Sequence, residues 1–336
     1  MKIAILSPIA WRTPPLKYGP WEQVASNIAE GLIEQGYDVT LFATGNSKTK
    51  GKLQSISETA YAENPDIEPK VWECLHISNL MEQAKDFDII HNNFDFLPLS
   101  YSRLIKTPMI TTIHGFSSPK IVPVFKKYNA NNSYVSISNS DRSPELDYIA
   151  TVYNGINTDC FTFSAIAKDY LLFFGRIHPE KGTYEAIQIA KKSKRKLIIS
   201  GLIQDQAYFD TKIKPFINNE DIVYVGNSGP AERDQLLGNA FALLHPVSFN
   251  EPFGLSVAEA MLCGTPVVAF RRGSMSELIK DTKTGYLVHT IDEAVNAVNN
   301  IKSIDRAYCR EWANSKFSRK KMIEGYLNVY KKILMK

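Results

Sequence analysis

Two glutamates eight positions apart, Glu251 and Glu259, bracket the stretch Glu251-Pro252-Phe253-Gly254-Leu255-Ser256-Val257-Ala258-Glu259. The stretch follows an apolar run at 241–244 and continues as a helical pattern that ends near Gly264. Gly254 admits close backbone approach, and the first free N–H groups of a helix make an anion or hydroxyl receptor out of main chain. Eight helical positions span about 12 Å of axial rise, whereas glycoside hydrolases hold their carboxyls roughly 5–5.5 or 6.5–9.5 Å apart across one bond. The pair therefore suits the two ends of one extended ligand better than a single scissile bond. A plain strand–turn–helix with a surface glutamate at each end would carry the same residues.

A second candidate is Phe173-Phe174-Gly175-Arg176-Ile177-His178-Pro179-Glu180-Lys181-Gly182, again where an apolar run passes into a helical pattern. Gly175 permits tight backbone geometry. Arg176 offers a planar fork matched to phosphate oxygens, and Lys181 adds a point charge beside the helix start. Two cations and a helix N-terminus would stabilise a diphosphate, above all one gaining charge as it leaves. Either cation alone reads equally as a solvated loop end; their weight comes from sharing one half of the chain with the glutamates.

Two further groups lie nearer the start. Thr111-Thr112-Ile113-His114-Gly115 closes an apolar run with a histidine beside bared backbone, a position that is also commonly structural. His91 and His245 end two other runs in the same way. The first turn contains Tyr18-Gly19-Pro20-Trp21-Glu22 in place of the Gly-x-Gly-x-x-Gly that a dinucleotide site requires. Pro20 fits a first helical position, and Gly19 would let main-chain amides approach a phosphate. A plain strand-to-helix loop fits these residues as well.

Elements that must position these groups follow from the pattern of apolar runs. Runs at 3–6, 39–43, 88–91, 109–113 and 134–137 alternate with helix-length amphipathic segments. The pattern loosens over 154–168 and restarts at 170–174, 196–200, 222–225, 241–244 and 266–270. Fully apolar strands separated by helices indicate an α/β protein with parallel sheets covered on both faces. The economical reading is two doubly wound, Rossmann-like domains, 1–160 and 161–317, with a basic amphipathic helix at 318–336 packing back on the first. Ligands in such sheets bind outside the carboxyl ends of the strands, so the chemistry is expected in a cleft between two facing sheets.

Composition agrees. The 336 residues are 44% hydrophobic and 22% charged, enough for two cores and too apolar for disorder. No uninterrupted apolar stretch approaches the ~18–20 residues of a membrane span. The net charge, 39 − 35 = +4, suits an anionic ligand or an acidic membrane surface but does not by itself argue for nucleic acid. The run Lys191-Lys192-Ser193-Lys194-Arg195-Lys196 ends a helical pattern, where it complements the dipole. Four scattered cysteines and a start that reads directly as a strand lead to the expectation of a cytoplasmic protein with reduced thiols.

Taken in order, Gly19…Glu22, His114-Gly115, Asn154-Gly155-Ile156-Asn157, Gly175-Arg176…Lys181-Gly182 and Glu251-x7-Glu259 resemble the retaining glycosyltransferases of family 4 over nearly the whole chain. The opening through Phe42-Ala43-Thr44-Gly45 is similar to a bacterial subgroup labelled tetrahydrobiopterin glucosyltransferase-like. The resemblance implies a GT-B fold and transfer of a hexose, glucose or mannose, from a UDP-sugar or GDP-sugar. The acceptor would be a hydroxyl of a saccharide, a lipid-linked molecule or a small molecule, and the anomeric configuration would be retained. By the same resemblance Arg176 and Lys181 bind the donor diphosphate, and Glu259 holds the ribose hydroxyls. Glu251 holds the transferred hexose with the amides of Phe253, Gly254 and Leu255, and His114 contacts that hexose from the other domain. Gly226 falls in the base-binding loop and Gly19 in the first donor-side loop.

Two residues depart from the family pattern. Pro20 stands where a second glycine is common, which removes one N–H donor, and Asn157 stands where Asp is frequent. No Asp-x-Asp pair occurs at a matching place, so neither a metal nor another cofactor is expected, with two protein cations in the role of a divalent ion. Competing expectations are a phosphorylase or epimerase on the same plan, or a non-catalytic nucleotide-sugar-binding protein. The segment 120–128 mixes lysines with apolar residues, which suits either peripheral contact with a membrane inner face or a half-buried helix.

Overall fold

The computed structural model describes residues 1–115 and 118–335. The chain divides into two compact units, Met1–Ile156 joined by Arg319–Lys336, and Asn157–Ser318. The division falls at 156/157 and 318/319, against the 160/161 and 317/318 expected from the sequence.

Among the described residues the first unit holds seven strands: β1 (Lys2–Leu6), β2 (Asp38–Phe42), β3 (Lys52–Gln54), β4 (Ile89–Asn92), β5 (Met109–Ile113), β6 (Ser133–Ser136) and β7 (Tyr148–Thr151). Their order across the sheet is β3-β2-β1-β4-β5-β6-β7, and every pair is parallel. Four of the five residues in β1 and in β2 are buried, and all of β4 and β5. A parallel strand covered by helices on both faces has no solvent side, so it is written as a continuous apolar run. β3 and β7 lie at the two edges, fully and half exposed, and for that reason carry no such run. Leu6, Phe42, Ile90, Ile113, Phe125 and Tyr134 belong to one core cluster.

Helix Pro20–Glu34 starts with its proline at the first position, where the missing N–H leaves nothing unpaired. It meets the last helix, Arg319–Leu334, so closely that a Cβ on Gly31 would stand 2.5 Å from Cγ1 of Ile323. A buried polar chain ties that last helix to the sheet. His91 Nδ1 and Tyr330 Oη are 2.7 Å apart, His91 Nε2 and Thr112 Oγ1 2.7 Å, and Thr112 Oγ1 and Tyr326 Oη 2.9 Å. His91 is thus a structural residue at the end of its strand. In the 120–128 segment, helix Val122–Lys127 turns Val122 and Phe125 into the core and leaves Lys126 and Lys127 exposed. No helix among the described residues is long and apolar enough to cross a membrane.

The second unit repeats the plan with β8 (Tyr170–Phe174), β9 (Lys196–Ser200), β10 (Ile222–Tyr224), β11 (Ala242–His245), β12 (Val267–Phe270) and β13 (Gly285–Val288). The order is β10-β9-β8-β11-β12-β13, again parallel throughout. In each unit the chain winds outward from its first strand in one direction and then restarts on the other side. The points of reversal are the β1/β4 and β8/β11 gaps, where an open α/β sheet leaves a crevice at the carboxyl ends of its strands.

Candidate active site

The loops that leave β8 and β11 flank the reversal point of the second unit, and they carry most of the chemically capable residues. Glycines set the loop after β8. A Cβ on Gly201, just past β9, would come 1.7 Å from the Gly175 carbonyl, so glycine at 201 is what lets this loop lie against β9. Gly182 adopts φ 76°, and a Cβ there would stand 2.0 Å from the Pro246 carbonyl. The two loops are therefore in direct backbone contact, reinforced by the Ser248 amide donating to the Glu180 carbonyl at 2.9 Å.

This contact places Lys181 beside Glu251. The Lys181 ammonium donates to Glu251 Oε2 at 2.5 Å and stands 4.7 Å from the centroid of the Phe249 ring. His245 Nε2 lies 3.4 Å from the same carboxylate oxygen. Burial pushes the Glu251 carboxyl up, but Lys181 and His245 outweigh it and hold it at about 2. Glu251 is therefore an anion, an acceptor of hydrogen bonds, throughout the neutral range.

Downstream of Glu251, the backbone is fixed by the loop after β12. The Ser274 amide donates to the Glu251 carbonyl at 2.9 Å, and its hydroxyl to the Phe253 carbonyl at 2.7 Å. Phe253 is buried and meets Phe317 edge to face. Gly254, at φ 92°, turns the chain into helix Leu255–Leu262, whose first amides have no partner within the helix.

Glu259 lies inside that helix and is buried. Its Oε1 stands 3.4 Å from Nη1 of Arg233, whose guanidinium sits over the Phe161 ring. Burial raises the Glu259 carboxyl above its ordinary value and Arg233 only partly offsets it. Each glutamate of the x7 pair thus has its own cation. Arg176, half-buried, donates through Nη1 to Gln204 Oε1. Gly226, at φ 82°, is a main-chain corner whose carbonyl accepts from the Gly201 amide at 2.9 Å and the Ser200 hydroxyl at 3.0 Å.

In the first unit, His114 follows β5 and is buried. Its Nε2 and Asn93 Oδ1 are 3.0 Å apart, and its ring stacks on Trp21 at 5.9 Å. Burial lowers it to about 3, so the imidazole is neutral. Gly19 takes φ 151° before helix Pro20–Glu34, and a Cβ there would collide with Pro15 at 2.8 Å. Asn157 accepts from the Asp159 amide at 3.3 Å and so caps a short 3₁₀ turn. Among the described residues no three His, Cys, Asp or Glu side chains are grouped as a metal site.

The sequence reading gave no role to Arg233, Gly201 or Asn93, and noted His245 without assigning one. Arg233 lies on helix Pro230–Asn239 with no spacing that points to Glu259. His245 carried a signal, because it ends β11 six positions before Glu251.

Comparison with known proteins shows the family of the chain. Residues 163–318 match the family described as glycosyl transferases group 1, and residues 21–159 match glycosyltransferase family 4. The chain is 30% identical to the glycogen synthase of Mycobacterium tuberculosis, covering 82% of this chain and 80% of that protein. It is 24% identical to an uncharacterized glycosyltransferase of Methanocaldococcus jannaschii, covering 86% and 85%. Among solved structures, HepE of Anabaena in complex with UDP and glucose superposes with a TM-score of 0.76 at 19% identity, over 98% of this chain and 99% of that one. The sucrose-phosphate synthase of Thermosynechococcus elongatus gives 0.78 at 18% identity, over 100% and 99%. At such identities these structures speak to the fold. Together with the family matches over both units, they establish that the chain belongs to the group 1, family 4 glycosyltransferases and is built on their GT-B fold.

Proposed function

We propose that the chain moves a hexose, glucose or mannose, from a UDP-sugar or GDP-sugar to a hydroxyl acceptor with retention of configuration. The observation that carries this reading is the Lys181–Glu251 pair at the β8/β11 reversal point, directly before the helix start at Gly254 and Leu255. An ammonium has three donors. One is engaged by Glu251, which leaves two for the oxygens of a diphosphate. Glu251, held anionic, accepts from hexose hydroxyls, and the amides of Phe253, Gly254 and Leu255 donate to the sugar–phosphate end. Arg176 shares the diphosphate with Lys181. Glu259 holds the ribose diol with Arg233 steadying it, and the Gly226 corner faces the base. His114 and Gly19 are the candidates for contact with the sugar and phosphate ends. HepE, solved with UDP and glucose, supports a nucleotide-sugar donor.

In the transfer step the bond between the anomeric carbon and the distal phosphate oxygen breaks while a bond to the acceptor oxygen forms on the same face. The acceptor proton passes to the departing phosphate. Charge that develops on that phosphate is met by Arg176, Lys181 and the helix-start amides, which act where the transition state differs from the bound substrate. A thermal-shift screen of UDP-, GDP- and ADP-sugars tests the donor. Ligand at 100 times Kd should stabilise the chain by about 2.7 kcal/mol, and no shift with any of them counts against the reading. Arg176→Ala should lower kcat by at least ~10²-fold, and an inverted product anomer by NMR would refute retention.

A further inference from the structure

The reversal point of the first unit, between β1 and β4, is bordered by rings and carboxyl groups that the donor chemistry does not use. The loop after β1 carries Trp11 and Tyr18, which meet edge to face at 6.0 Å and 81°, and Trp21 follows in the first turn of helix Pro20–Glu34. All three are partly exposed. Trp21 stacks on His114, and His114 bonds to Asn93 on the loop that leaves β4, two positions before Asp95. Beneath the rings, Glu22 is buried and its Oε1 accepts from the Trp11 amide at 3.1 Å, so it fixes the loop in place.

Asp95 has φ 95°, in the left-handed region that a residue with a side chain adopts only at a cost. The Asn92 side-chain amide donates to its carbonyl at 2.8 Å and helps to hold it there. β4 has already ended at Asn92, so the ladder does not demand this geometry. The side chain is partly exposed at the carboxyl edge of the sheet, and burial, only partly offset by the Phe96 amide, pushes its carboxyl up to about 7. Residues held in such sparsely populated backbone regions cluster at ligand sites.

A pyranose has a face of C–H groups and a rim of hydroxyls, so it is recognised by one aromatic face with polar groups at the edge. Tryptophan supplies such a face at small conformational cost. A planar heteroaromatic ring would call for two parallel walls, whereas Trp11 and Tyr18 stand nearly perpendicular and one side of Trp21 is taken by His114. An acyl chain would call for a continuous apolar groove, whereas the loops after β1 and β4 carry the partly exposed Arg12 and Asp95 and the exposed Lys17. We propose that the acceptor is a saccharide whose ring lies against Trp21 beside Trp11, with a hydroxyl held by the Asp95 carboxyl group. The proposal rests on the reading of the chain as a nucleotide-sugar-dependent transferase, but donor chemistry alone would serve a lipid or an aromatic alcohol equally well.

Saturation-transfer NMR on the full chain tests it with methyl glucosides, methyl α-mannoside and methyl N-acetylglucosaminide, alongside biopterin and a short-chain diacylglycerol. At least one glycoside should show saturated ring protons, with affinity reduced at least tenfold in Trp21→Ala and in Asp95→Gly. The second variant separates binding from folding. Glycine accepts φ 95° freely, so Asp95→Gly should match or exceed the wild type in thermal stability while losing the glycoside. Nucleotide affinity, measured by calorimetry, should be unchanged in both variants. The proposal is overturned if no glycoside binds, if binding persists undiminished in either variant, or if only biopterin or diacylglycerol gives a Trp21-dependent signal. A wild-type chain that binds glycosides but no nucleotide sugar would instead overturn the donor reading.

Discussion

Lys181 Nζ and Glu251 Oε2 are 2.5 Å apart, in side chains only 15% and 10% exposed, and they come from loops on opposite sides of the β8/β11 reversal point. Removing one partner leaves a nearly buried charge unmatched, which destabilises proteins by about 3–5 kcal/mol when burial is complete. Lys181→Ala should therefore lower the urea-unfolding free energy by about 3 kcal/mol. Lys181→Met combined with Glu251→Gln should recover most of that loss without recovering turnover. A double variant that regains activity would make the pair a structural clasp.

Glu259 presents a sharper separation between binding and rate. Glu259→Ala should weaken nucleotide binding by ~10–100-fold, the equivalent of one or two hydrogen bonds to a charged group, measured by calorimetry with nucleotide alone. Arg233→Ala should weaken it less, because Arg233 acts by steadying the carboxylate 3.4 Å away. Equal affinities in Glu259→Ala and the wild type would remove this residue from the nucleotide site.

Gly201 tests how the loop after β8 is held. A methyl group there would overlap the Gly175 carbonyl at 1.7 Å, so the loop bearing Arg176 and Lys181 must move away. Gly201→Ala should reduce turnover more than Ala substitutions on exposed loops, with a measurable fall in melting temperature. Normal kinetics in that variant would mean that the close approach is dispensable.

The pH dependence of stability follows from His91. Burial, reinforced by the nearby His114, lowers it to about 3, while the unfolded chain protonates near the ordinary value of 6.5. The unfolded state alone takes up this proton between the two values. The stability that His91 contributes is complete above pH 6.5 and is lost as pH falls towards 3. By pH 5.5 the loss is about 1.4 kcal/mol. In urea titrations at pH 7.5 and 5.5, the gap between wild type and His91→Gln should narrow by about that amount. A constant gap would show that His91 titrates normally in the folded protein.

How much of this could be read in the sequence depended on burial. β1, β5, β8 and β9 were visible because parallel strands buried on both faces are written mostly in apolar residues, Thr111 and Thr112 of β5 and the ends of β1 and β9 aside. β3, with Lys52 and Gln54, is exposed along its length and leaves no such run, and β13 is only four residues long and begins at Gly285. The site divides along similar lines. Arg176, Lys181, Glu251 and Glu259 stand out because each lies in a short stretch with glycines at fixed offsets. The pairings Lys181–Glu251 and Arg233–Glu259 join residues 70 and 26 positions apart, and only the folded loops bring them together. The 120–128 segment offered two readings because a helix with one face in the core has the same periodicity as one lying on lipid, and its Val122 and Phe125 are packed inside.

Because Arg319–Leu334 belongs with the residues at the start of the chain, the second unit is an insertion within the first. A ribosome releases the first sheet long before it makes the helix that caps it. Until then His91 and Thr112 have no tyrosines to meet, and the flank around Gly31 is bare. A premature stop before Tyr326 would thus injure the portion of the molecule synthesised earliest.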